Sequence, residues 1–168
     1  MKNLILFLIL ITFSFSMEFD FKKTSLDKFE IKGFDAKIVY KNKIDRDLQI
    51  GKLWDKFLSS KDFDVDKSTD KKLYVVYSNY KANSFDCFIG IKSEKNILNS
   101  KLKIVPKSNY LNTIIKYRKN MNLSEVWDHM QKEKINRDFK VDIEQYDMQD
   151  LKKSSYFINI YLSTKTND

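Results

Sequence analysis

The sequence is poor in the residues that most often carry recognisable chemistry, with one cysteine, one histidine, one proline and three glycines among 168 residues. A lone Cys87 excludes an internal disulfide. With His129 the only histidine, a Cys/His zinc site is excluded, and neither a metal nor another cofactor is expected. His129 falls beside the apolar stripe of a predicted helix and reads as a surface residue, not a catalytic base. So few glycines exclude a P-loop and a dinucleotide fingerprint. They also leave no flexible linker, so residues 17–168 read as a single domain.

Positive charge is in excess, at +8, but it is not clustered. The lysines are interleaved with Asp and Glu, and no helix-turn-helix, zinc-finger or RNA-binding signature is visible. Direct binding of nucleic acid is therefore not expected. The first residues, MKNLILFLILITFSFS, follow a targeting pattern: Lys2, then an apolar run from Leu4 to Phe13, then Ser14 and Ser16 as small residues ahead of Met17. The run is short for a membrane span. Cleavage after Ser16 and export, to the periplasm in a bacterial cell, is the first expectation. Retention of the segment as an anchor is an alternative, and so is a cytoplasmic protein starting at Met17.

What the chain does contain is aromatic residues, 14% of the total, and an internal echo. LWDKFLSSK, from Leu53 to Lys61, and VWDHMQKEK, from Val126 to Lys134, hold both tryptophans in matching frames. Leu48, Ile50, Leu53, Trp54, Phe57 and Leu58 form one helical face, with Asp45 or Asp47 as its cap. Leu123, Val126, Trp127 and Met130 form another, with Asn122 and Glu125 as a capping box. Strand patterns surround each helix: Phe29–Tyr40, Leu73–Tyr77 and Phe85–Ile91 around the first, then Lys103–Tyr117, Phe139–Tyr146 and Tyr156–Leu162 around the second. Lys61–Lys72 reads as a charged loop, and SNYKANS as a polar turn.

The order is β-α-β-β written twice. It predicts an α+β fold of two halves about a pseudo-twofold axis, with one antiparallel sheet, two helices and a central groove. Each Trp then occupies the same place in its half.

One segment is acidic in this basic chain, RDFKVDIEQYDMQD, from Arg137 to Asp150. Strand alternation places Phe139, Val141 and Ile143 on one face and Asp142, Glu144 and Tyr146 on the other. The apolar face is expected against the helices. The other offers two carboxylates and a phenol to whatever fills the far side of the sheet, or to solvent. A carboxylate in an aromatic groove selects cations, because a lipophilic cation satisfies the charge and stacks on the rings together. The aromatic candidates for the walls are Trp54, Tyr77, Phe88, Tyr110, Trp127 and Tyr146.

From about Phe29 to Ser163 the chain resembles the GyrI-like effector-binding domain, the ligand-binding part of some AraC-type and MerR-type regulators that also occurs free-standing. The resemblance rests on Leu53, Trp54 and Phe57, on the strands LYVVY and FDCFIGI with Gly90, and on VDIEQY followed by INIYLS. The family's usual form of that last element is an acidic or polar residue, an apolar one, Glu, one more, then Tyr; here these are Asp142, Ile143, Glu144, Gln145 and Tyr146. The resemblance implies a small-molecule ligand, amphipathic and often cationic, with Glu144 as the groove carboxylate and Asp142 dispensable. It leaves two alternatives: hydrolysis of reactive lipophilic molecules by the same Glu, and a gyrase-inhibitor-type interaction. No DNA-binding domain is read in the chain, and export would exclude contact with gyrase.

Overall fold

The computed structural model describes residues 18–61, 63–95 and 97–165. The segment expected to be a targeting signal, residues 1–16, lies outside them. Ten elements follow in chain order: β1 (Lys22–Leu26), β2 (Phe29–Val39), α1 (Lys43–Ser59), β3 (Lys72–Lys81), β4 (Ser84–Ile91), β5 (Lys101–Val105), β6 (Ser108–Arg118), α2 (Leu123–Met130), β7 (Val141–Asp147) and β8 (Ser155–Ser163).

All strands join one antiparallel sheet in the order β1-β6-β8-β7-β3-β4-β2-β5. Exchanging each element of the first half for its counterpart in the second reverses this order onto itself. The pseudo-twofold axis therefore passes between β3 and β7, which pair Val75 with Glu144. Each half gains one short strand over the sequence expectation, and the halves trade them. β1 pairs with β6 of the other half, and β5 pairs with β2. The β1 segment, KKTSL, gave no sequence signal because an edge strand needs no apolar alternation. The β5–β6 break falls at Pro106 and Lys107, where proline cannot donate to the ladder.

The helices start on asparagine caps. Asn42, rather than Asp45 or Asp47, caps α1, accepting from the Asp45 amide at 2.9 Å, while the Asp45 carboxylate accepts from the Lys41 amide at 3.2 Å. Asn122 caps α2 as expected, and its amide also donates to Glu125 at 3.2 Å. Leu53 and Phe57 of α1, with Val126 and Met130 of α2, are buried against the sheet. Burying each contributes about 1.5–3 kcal/mol. Leu48 and Leu58 lie on the exposed side of α1, narrowing its apolar face. In the charged loop after α1, Phe63 turns inward and packs on Phe34 and Phe57.

The central strands are buried on both faces. Leu73, Val75 and Tyr77 face the helices, with Cys87, Tyr146, Ile158 and Ile160. Tyr74, Val76, Phe88, Tyr110 and Ile143 face a second core on the other side, which the curled sheet closes with Ile31 and Val105. The expected orientation of β7 is thus reversed. Ile143 packs in the second core, while Glu144 and Tyr146 turn toward the helices. When both faces of a strand are covered, alternation separates them without saying which one the helices cover. Phe139 does not continue β7; it is half exposed, with φ of 55°.

Candidate functional site

Glu144 sits in the middle of the helix-facing side of the sheet, only 1% exposed. Three neutral donors converge on it. The Tyr146 hydroxyl donates to Oε2 at 2.5 Å, and the Trp127 Nε1 and Tyr77 hydroxyl donate to Oε1 at 2.5 and 3.1 Å. Among the described residues, no Lys, Arg or His forms an ion pair with it. Burial pushes its carboxyl above the ordinary glutamate range, and the three hydrogen bonds pull only partly back. Burial, reinforced by the adjacent carboxylate, pushes the Tyr77 and Tyr146 hydroxyls well above their ordinary range, so both remain donors.

The tryptophans complete the cage in a crossed arrangement. Trp54 of the first half packs edge-on against Tyr146 of the second, at 5.4 Å between centroids. Trp127 of the second packs edge-on against Tyr77 of the first, also at 5.4 Å. Tyr77 lies two residues beyond Val75, and Tyr146 two beyond Glu144, so the two contacts are related by the pseudo-twofold. The symmetry breaks at its centre. The first half places Val75 where the second places a carboxylate.

Above this cage opens a cavity of about 560 Å³, within the range of small-molecule sites. Trp54, Tyr77, Trp127 and Glu144 line it, with Tyr40, Tyr80, Phe85, Tyr117 and Met121. Tyr146 stands behind Glu144 and orients it. Phe88 and Tyr110, also expected in the walls, are in the second core and do not reach the cavity. Each has the opposite strand parity to Tyr77, which aromatic content alone does not reveal. Tyr80 was hidden in the polar turn. It reaches the cavity because β3 runs on to Lys81 through a bulge at Asn79, which has φ of 56°.

Two polar clusters flank the cavity. Arg46 of α1 bridges the helices, holding Asp47 at 3.0 Å, Asp128 at 3.3 Å and the Ser124 hydroxyl. Asp142 is fully buried, contrary to the expectation that it is dispensable. It pairs with Arg137 and also accepts from the Tyr80 hydroxyl at 2.6 Å and the Ser163 amide at 2.9 Å. Among the described residues, no group of His, Cys, Asp and Glu is placed to hold a metal ion. Cys87 is buried, and burial with the nearby Glu144 charge keeps its thiol protonated.

A cavity at the junction of two repeated halves, with eight aromatic side chains and the Glu144 carboxylate in its lining, has the size of a small-molecule site. The chain belongs to the family of integron-associated effector-binding proteins of GyrI-like type (Cass2), whose sequence profile matches residues 24–163. Its fold is shared with an integron cassette protein of Vibrio cholerae, at a TM-score of 0.66 and 20% identity over 88% of this chain and 97% of that one. The protein SAV2435, solved with tetraphenylphosphonium bound, aligns with a TM-score of 0.65 and 13% identity over 88% and 94%. A Staphylococcus aureus MU50 protein described as a transcription regulation protein aligns at 0.63 and 12% over 88% and 99%. No curated protein sequence matches the chain.

Proposed function

We propose that the chain is a binding module for amphipathic organic cations, held between Trp54, Tyr77 and Trp127 with their charge on Glu144. One observation carries the reading: Glu144 is buried among neutral donors and, among the described residues, no cation pairs with it. A desolvated carboxylate held this way lacks only a counter-charge. Aromatic side chains in the cavity lining add attraction for a cation placed over their rings. The fold neighbour solved with tetraphenylphosphonium supports this ligand class.

The test uses two ions of one shape and opposite charge. By calorimetry, tetraphenylphosphonium is expected to bind with micromolar affinity and tetraphenylborate at least tenfold more weakly. Equal affinities would mean an apolar cavity without charge selection. A second reading, hydrolysis of a bound lipophile, draws on the raised pKa of Glu144, which suits a general base. Conversion of a bound compound that stops in Glu144→Gln while binding persists would favour it. We also propose export after cleavage at Ser16. Mass spectrometry of the native protein would contradict that if it found an intact Met1 in the soluble cytoplasmic fraction.

A further inference from the structure

Arg137 lines the same cavity as Glu144, and the binding mode above leaves it idle. Its side chain is 4% exposed. Nη2 donates to Asp142, while Nε and Nη1 are buried with no acceptor among the described residues. Folded proteins rarely leave two such donor nitrogens unserved. Asp142 cannot serve them. Its Oδ2 already accepts from Arg137 and Tyr80, and its Oδ1 from the amide and hydroxyl of Ser163. The guanidinium carbon Cζ lies over the Phe139 ring, 4.3 Å from its centroid. That ring also lines the cavity, packs edge-on against Tyr80 at 6.1 Å between centroids, and is 52% exposed.

We infer that Arg137, under Phe139, is a second polar subsite that takes a neutral acceptor oxygen of the ligand, such as a ketone, ester or amide carbonyl. The charge balance selects a neutral group over an anion. Asp142 already compensates Arg137, and Glu144 in the same cavity repels a second negative charge. Phe139 turns aside, or stacks on the aryl group that bears the carbonyl. The inference rests on the cation reading above and narrows it. The preferred ligand is an organic cation whose aromatic body carries a carbonyl away from the charge.

The test compares (4-acetylphenyl)triphenylphosphonium with (4-isopropenylphenyl)triphenylphosphonium, which share charge and shape and differ by C=O against C=CH2. Calorimetry on the wild type is expected to show the acetyl probe binding roughly tenfold tighter, the scale of one hydrogen bond from a charged donor. Arg137→Lys keeps a cation beside Asp142 but removes the guanidinium donors, and it should bring the two Kd values together. Phe139→Ala uncovers the guanidinium and should keep or enlarge the difference, which decides the matter if Arg137→Lys fails to fold. Equal Kd values in the wild type and Phe139→Ala would overturn the subsite, as would an undiminished preference in a folded Arg137→Lys. If instead neither phosphonium binds better than tetraphenylborate, the cation reading itself falls, and this inference with it.

Discussion

Two carboxylates two residues apart on β7 have opposite roles, and their neighbours set the difference. Asp142 is compensated by Arg137, Tyr80 and Ser163 and belongs to the scaffold. Glu144 is surrounded by neutral donors, and in the proposed function it serves the ligand. Asp142→Asn should therefore leave an uncompensated buried guanidinium and destabilise the fold by about 3–5 kcal/mol. Urea unfolding would show it as a lowered midpoint at unchanged slope, and a shift below about 0.5 kcal/mol would contradict the structural role. In the sequence, strand alternation puts Asp142 and Glu144 on one face, and only the family resemblance singles out Glu144. The partners that tell the two acids apart were not legible there. Arg137, Tyr80 and Ser163 come from three different parts of the chain, and no local pattern joins them.

At the scale of elements, the helices and central strands were readable because each buries a periodic apolar set. The face of β7 was misassigned because LYVVY and its neighbours are covered on both sides. The edge strand β1 was invisible because it is polar. Glycine explains one feature that pattern alone does not. Gly33 of β2 pairs with Gly90 of β4 where β2 leaves β4 for β5. A Cβ at Gly33 would lie 1.9 Å from the Ile89 carbonyl oxygen, and one at Gly90 would lie 2.5 Å from that of Lys32. Both obstacles are backbone, which cannot step aside as a side chain can. Gly33→Ala is expected to force these strands apart at a cost of about 1–3 kcal/mol or more. Gly51→Ala, with no heavy atom within 4 Å of its Cβ, is the control and should be neutral or slightly stabilising through helix propensity. Thermal melts of the two variants check this, and equal melting temperatures would contradict it.

For the whole molecule, duplication explains why the cavity is where it is. Two halves that exchange edge strands must meet at a seam, and each half sends its Trp to the other half's Tyr across it. The echo of LWDKF in VWDHM made that symmetry visible. Its consequence, a single carboxylate opposite Val75 near the axis, needed the strand register. That carboxylate also links binding to pH. A carboxyl with a raised native pKa holds its proton more tightly folded than unfolded. Below the ordinary glutamate range it is neutral folded and unfolded, so its burial carries no charge penalty. Stability then falls as pH rises toward the raised native pKa, and it stays lower beyond it. A bound cation offsets that loss and prefers the ionised form, so its affinity must rise over the same window. The most direct test is the Kd of tetraphenylphosphonium, measured calorimetrically from pH 4.5 to 8 on the wild type and on Glu144→Gln. The expected result is wild-type affinity that strengthens as pH rises and then levels off, against a flat profile in Glu144→Gln that is weaker at pH 8 by about 1–3 kcal/mol. Parallel profiles of equal affinity would contradict the claim that Glu144 selects the ligand by charge.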